Sequence, residues 1–236
     1  MTVAVLVESL TVEFGRFRAI DDLSLAIDYG EVRAVIGPNG AGKTTLLDVI
    51  SGVSRAKTGR ILFDETMELT RASEAQIARS GVRRKFQKPS VFEALTVRDN
   101  VEIGLGGAKD AAARERVKTT LETVGLSAEA GRLAGELAHG QKQWLEIAMV
   151  VVSEPKVLML DEPVAGLTDE ETERTSALIR ALKSPERAII VVEHDMDFVE
   201  TIADRVTVLH EGRTLFEGSM ARARTDARVV DVYLGR

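Results

Sequence analysis

The chain has 236 residues, 44% hydrophobic and 29% charged, the composition of a soluble globular protein large enough for one big domain or a core with a subdomain. It has no cysteine, which excludes disulfides, thiol catalysis and cysteine-ligated metals and fits a reducing compartment. With 31 basic and 37 acidic residues the net charge is −6, which argues against a nucleic-acid surface; no apolar run approaches the roughly 18 residues of a membrane span, and no signal peptide is expected at the N-terminus.

In chain order, AVLVESLTVEF (4–14) and LSLAI (23–27) suggest a small antiparallel sheet. VRAVIG (32–37) is a β-branched run ending in glycine, and KTTLLDVISG (43–52) follows as a helix stopped by Gly52. RILF (60–63) and GVRRKF (81–86) read as strands. From about 94 to 153 no strand is expected. Val117, Leu121 and Val124 keep helical spacing, as do Trp144, Ile147, Ala148 and Val151, and GLGGAKDAAA (104–113) is the most loop-like part. VLML (157–160) and AIIVVE (188–193) are continuous apolar runs, expected of strands covered on both faces. Between them TDEETERTSALIRALK (168–183) is a helix with Thr168 as N-cap. VTVLHEGRTLFEG (206–218) reads as a hairpin turning at Glu211-Gly212. The alternation gives an α/β fold with a mainly parallel sheet and an inserted helical unit. The expected division is 1–87 and 154–236 for the core with its β subdomain, and 88–153 for the helices.

GPNGAGKTT spans Gly37, Pro38, Asn39, Gly40, Ala41, Gly42, Lys43, Thr44 and Thr45, and matches the phosphate-loop pattern between a strand and a helix. Gly40 and Gly42 allow backbone angles and close approach that side chains would block. Successive N–H groups and the helix N-terminus then converge on phosphate oxygens. Lys43 reaches the β- and γ-phosphates, and the Thr44 hydroxyl suits Mg²⁺. VLMLDEP (157–163) places Asp161 and Glu162 where a buried parallel strand ends, the edge at which ligands bind. Asp161 suits the metal shell, and Glu162 suits orienting and deprotonating a water. His194 follows a strand in the same way and suits a γ-phosphate contact, while Gln87 suits a metal and water sensor after GVRRKF.

The order of phosphate loop, Gln87, LAHGQ (137–141), LDEP and His194 resembles the ATP-binding-cassette ATPases over nearly the whole chain. The resemblance implies a phosphate-loop core with an antiparallel β subdomain and a helical subdomain carrying the signature. It implies two cassettes paired head to tail, each ATP held between one phosphate loop and the other cassette's signature. Lys43, Thr44, Asp161, Glu162, Gln87 and His194 would form one half-site, and Leu137, Ala138, His139, Gly140 and Gln141 the opposite half. Phe14 would stack on adenine, with Phe17 as runner-up, and Asp169 in AGLTD (165–169) would reach across the dimer. Where the family signature reads LSGGQ, Ala138 lacks the capping hydroxyl and His139 replaces a glycine. His139 either supplies a side-chain donor or faces solvent.

Several stretches resemble the cassettes of branched-chain and polar amino-acid importers: FQKPSVFEALTVRDNV (86–101), DEPVAGLTDEET (161–172), VVEHDMDFV (191–199) and VYLG (232–235). Trp144 in QKQWLEI and the HGQ triplet most resemble the urea-transporter branch. The resemblance implies separate membrane permease subunits, a solute-binding protein acting through them, and a place on the cytoplasmic face of the membrane. Val91, Phe92 and Leu95 are candidate docking anchors or core residues. A cofactor-assembly ATPase and a non-hydrolysing nucleotide module are the competing classes. Intact Glu162 and His194 argue against the second.

Overall fold

The computed structural model describes residues 2–87 and 90–234. Lys88 and Pro89 of KPSVFEAL and Gly235 of VYLG lie outside them. The first half contains β1 (Val3–Phe14), β2 (Phe17–Asp28), β3 (Val32–Ile36), α1 (Lys43–Ile50), β4 (Thr58–Phe63), β5 (Met67–Glu68), α2 (Glu74–Ser80) and β6 (Val82–Lys85). Then come α3 (Val97–Ile103), α4 (Ala111–Val124) and α5 (His139–Val151). The last part contains β7 (Val157–Asp161), α6 (Asp169–Ala181), β8 (Ala188–Val192), α7 (Met196–Ile202), β9 (Arg205–His210), β10 (Arg213–Gly218), α8 (Met220–Ala223) and α9 (Ala227–Leu234).

Two sheets form. One is antiparallel, in the order β2-β1-β4-β5. The other runs β10-β9-β3-β8-β7-β6, parallel except where β10 pairs with β9. The central strands β3, β7 and β8 are buried throughout, which is why they read as unbroken apolar runs. Their period of two sends neighbours to different cores. Met159 and Ile190 pack with Leu46, Leu47 and Ile50 of α1 and with the antiparallel sheet. Leu158, Leu160, Ile189 and Val191 pack with Trp144, Ile147 and Ala148 of α5.

Local chemistry accounts for the boundaries. Thr168 caps α6 in a reciprocal box: its Oγ1 accepts from Glu171 N–H, and Glu171 Oε2 accepts from Thr168 N–H at 3.0 Å. Glu211 (φ 48) and Gly212 (φ 77) both take positive φ, the requirement of the tight turn joining β9 to β10. The loop-like stretch after Gly104 ends earlier than its composition suggests, because Asp110 accepts from Ala113 N–H at 2.7 Å and starts α4.

The parallel order has one consequence for chemistry. β3, β8, β7 and β6 lie side by side and point the same way. Their C-terminal ends therefore share one edge, and the segments leaving it begin at Gly37, Glu193, Glu162 and Phe86.

Candidate nucleotide site

The phosphate loop is shaped by two close backbone approaches. A Cβ on Gly37 (φ 150) would lie 2.2 Å from the Leu209 carbonyl, and one on Gly42 (φ 102) 2.6 Å from the Ala19 carbonyl. Gly40 (φ 79) takes a left-handed backbone angle with no protein atom within 4 Å of where a Cβ would sit. Gly37, which the glycine pattern alone does not single out, is crowded as Gly42 is. Lys43 is 8% exposed, and its Nζ donates to the carbonyls of Gly37 (2.7 Å) and Pro38 (3.0 Å). Burial pushes the Lys43 ammonium below its ordinary value; Glu162, Asp161 and Glu193 oppose this. Thr44 is exposed at the mouth of the loop, as are Asn39 and Gly40, while Ala41 is buried and Thr45 half-buried.

Asp161 ends β7 and is 1% exposed. Its Oδ2 accepts from Arg84 at 2.7 Å, and the same guanidinium donates to Asp48 of α1 at 2.6 Å. Asp161 Oδ1 is buried without a hydrogen-bond partner. Burial outweighs Arg84 and raises the Asp161 carboxyl above its ordinary value. Neither Arg84 nor Asp48 stands out in the sequence. The available signal was three successive charges in GVRRKF, since a strand sends alternate side chains to opposite faces and one charge must point inward.

Glu162 follows with φ 46, an uncommon region for a non-glycine residue. Its amide donates to Val192 O at 2.9 Å, and its carboxylate accepts from Gln87 Nε2 at 2.6 Å. The strand ends thus bring Gln87 and Glu162 together across the gap between β6 and β7. His194 is exposed beyond β8. Beside it Glu193, 1% exposed, accepts from the amides of Val164 (3.2 Å) and His194 (3.0 Å). It ties the segments after β7 and β8, and burial raises its carboxyl above the ordinary value. The sequence reading took Glu193 only as the end of a strand.

The LAHGQ stretch starts α5. Leu137 is buried, Ala138 is the N-cap, and His139 begins the helix. Ala138 has no side-chain oxygen, so only half of a capping box forms: Gln141 Oε1 accepts from Ala138 N–H at 3.1 Å. The first N–H groups of the helix keep no side-chain cap. His139 is exposed, in line with the solvent-facing expectation, and its Nε2 also lies 3.2 Å from the Ala165 carbonyl of the same chain.

Phe14 and Phe17 pair across the β1–β2 turn and are 52% and 60% exposed. The hairpin reaches the phosphate loop through Ala19, whose carbonyl backs Gly42. Asp169 is exposed in the first turn of α6, next to the capping Thr168. Phe92 and Leu95 are exposed, while Val91 packs partly against the helical core.

The ABC transporter family model matches residues 20–165. The chain is 37% identical to the high-affinity branched-chain amino acid transport ATP-binding protein LivG of Salmonella typhimurium. It is 35% identical to the protein of the same description, BraF, of Pseudomonas aeruginosa. Each match covers 97% of this chain and 96% of the relative. The fold superimposes on the crystal structure of the ADP conformation of MJ1267, an ATP-binding cassette of an ABC transporter, with a TM-score of 0.92, 30% identity and full coverage of both chains. The two sequence relatives are named for branched-chain amino acids, so the urea branch expected from Trp144 and HGQ gains no support from them.

Proposed function

This chain belongs to the ABC transporter family, and from that premise we propose that it is the ATP-hydrolysing subunit of a branched-chain amino-acid importer. It is a nucleotide-binding ATPase of that family. The observation that carries the site reading is the shared sheet edge. There the phosphate loop, Asp161–Glu162, Gln87 and His194 emerge from four adjacent parallel strands.

Residues Gly37 to Thr45 hold the ATP phosphates. The Lys43 ammonium exchanges the Gly37 and Pro38 carbonyls for phosphate oxygens, at little net loss of hydrogen bonds. Phe14 stacks on adenine, with Phe17 beside it. Glu162 orients and deprotonates the attacking water, Gln87 holds the Glu162 carboxylate in place, and His194 contacts the γ-phosphate. Among the described residues no three His, Asp or Glu side chains cluster as a metal cage. Mg²⁺ asks for fewer, since it keeps several waters and takes one or two protein oxygens. The exposed Thr44 hydroxyl, the free Asp161 Oδ1 and Gln87 fit that demand. The ion would neutralise charge on the phosphates.

Leu137, Ala138, His139, Gly140 and Gln141 of a second cassette, sister or self, complete the site with backbone N–H groups, and Asp169 lies along that interface. Residues 1–87 and 154–236 act as the nucleotide-binding core, and 88–153 as the helical unit. No helix among the described residues is long and apolar enough to cross a membrane. As in transporters whose ATP-binding protein is a subunit of its own, permease subunits dock beside Phe92 and Leu95 at the cytoplasmic face, with a solute-binding protein beyond them. Trp144 carries no solute information. It is buried, donates to Thr175 Oγ1 at 3.0 Å and lies under Arg174. The support for amino acids over urea comes from the relatives named for branched-chain amino acids.

Glu162→Gln should keep ATP binding and lose turnover by about 10²–10⁴-fold, the usual weight of a general base. Uptake of labelled leucine and of urea by the assembly with its neighbouring permeases separates the solutes. Turnover unchanged in Glu162→Gln overturns the site, and urea uptake without leucine uptake overturns the substrate.

A further inference from the structure

The N-terminal turn of α5 is laced to the segment that follows Glu162. His139 Nε2 lies 3.2 Å from Ala165 O. A carbonyl only accepts, so Nε2 carries the proton in this contact. The ring also rests against Gly166, where a Cβ would lie 3.3 Å from Nε2. One residue on, the Glu171 carboxylate packs against Gly140, whose missing Cβ would fall 2.2 Å from Glu171 Oε1. A turn further, Trp144 Nε1 bonds Thr175 Oγ1 at 3.0 Å, and Arg174 stacks 3.8 Å over the indole. Gly140 and Trp144 stand four apart on one face of α5, and Glu171 and Thr175 four apart on the facing side of α6.

Ala165 is not a passive partner. Its amide donates to the Glu162 carbonyl at 3.3 Å, closing a turn whose first residue is the catalytic carboxylate. Glu162 sits at φ 46, a region that persists only where the surroundings hold it. Ala165 thus meets Glu162 through its N–H and His139 through its carbonyl, the two peptide groups that flank its Cα. A glycine at 139 would leave the Ala165 carbonyl without this partner.

We propose that His139 is a positioning residue for Glu162, acting through the Ala165 carbonyl to hold the 162–166 turn against the N-terminus of α5. The inference rests on the assignment of Glu162 as the base. It gives the histidine a role within its own chain, separate from any contact with nucleotide across a dimer. It also makes the start of α5 and the catalytic turn one mechanical body.

The test compares His139→Ala and His139→Gln with wild type, each assembled with its permeases. It reads kcat and KM for ATP, and hydrogen exchange of the 162–167 amides without nucleotide. His139 is exposed, so folding tolerates both changes. Loss of one such hydrogen bond predicts that His139→Ala lowers kcat about two- to tenfold with KM within twofold. Exchange in 162–167 should quicken. His139→Gln, which keeps an N–H donor, should recover most of both. A raised KM with kcat intact would assign His139 to nucleotide and overturn the proposal, and so would exchange and kcat that both stay at wild-type values. Hydrogen exchange needs no turnover, so its result stands even if the importer reading fails.

Discussion

Arg84→Ala tests how the site is held. The Arg84 side chain is 3% exposed and bridges the buried Asp161 and the Asp48 side chain, which is 24% exposed. Removing one partner of a buried ion pair costs about 3–5 kcal/mol, because the other charge stays buried and unpaired. Asp48 can turn to water, so its share is small, about 0–1 kcal/mol. The stacking of Arg84 over Phe86 at 4.6 Å adds about 0.5–1 kcal/mol. The loss is therefore dominated by the about 3–5 kcal/mol at Asp161, and with the two smaller shares it comes to about 4–7 kcal/mol. In a chain of this size the Asp161 share alone lowers the melting temperature by about 6–20 °C.

The pH dependence carries the sharper test. The Asp161 carboxyl already titrates above its ordinary value, because burial outweighs Arg84. Without Arg84 it rises further. A carboxyl raised in the fold favours its protonated form there. Its stabilising contribution is intact below the unfolded value and is lost as pH rises through the folded one. The penalty of Arg84→Ala is therefore largest near neutrality and shrinks as the solution is acidified. Calorimetric unfolding of both proteins at pH 7 and near pH 5 gives the difference directly. A penalty under about 1 kcal/mol at pH 7 would refute the buried-pair account. A penalty equal at both pH values would refute the assignment to Asp161.

Gly37→Ala should weaken ATP binding at least about tenfold in a nucleotide titration, since its Cβ meets the Leu209 carbonyl at 2.2 Å and the loop must shift. Gly40→Ala meets no protein atom, so in melts of the nucleotide-free protein it should cost only the about 1–2 kcal/mol of a left-handed alanine; a loss equal to that of Gly37→Ala in the same melts would contradict the crowding argument. Lys85 and Glu146 form a second buried pair, 3.6 Å apart. Lys85→Met alone should destabilise by about 3–5 kcal/mol in denaturant melts, and adding Glu146→Leu should recover more than half; additive losses would show that the two do not interact.

The sheet was legible because burial on both faces writes itself as VLML and AIIVV, and the phosphate loop because its glycines and lysine are fixed in spacing. Helices α2 and α7 escaped notice at seven residues each, too short for a 3.6-residue period to declare itself. Their caps were present all the same: Ser73 with Gln76, and Asp195 accepting from Phe198 N–H at 2.9 Å. Glu146 was hidden inside the apolar stripe of α5, where its partners Lys85 and Ser90 lie 61 and 56 positions away in sequence. His139 posed the same difficulty. Composition offers a donor at that position but not its direction, and its partner Ala165 is 26 residues on.

The position of β6 explains why these hidden charges matter. It is the edge strand of the six-stranded sheet, paired among the described residues with β7 alone. Its charged run Arg83-Arg84-Lys85 discourages the addition of another strand there. An edge strand also has ladder bonds on one side only, so what it is tied to by side chains decides what moves with it. Arg84 ties it to Asp161 and Asp48, on the side of the phosphate-loop helix. Lys85 ties it to Glu146 of α5, and that carboxylate also accepts from Ser90, beyond Gln87. Gln87 thus leaves a strand anchored to the site on one face, and its flanks are anchored to α5 on the other. On the proposed reading, a shift of the Gln87 backbone on binding or losing a γ-phosphate pulls on both sets of anchors. Burial makes separating either ion pair expensive, so the helical unit must follow or a charge must be left unpaired.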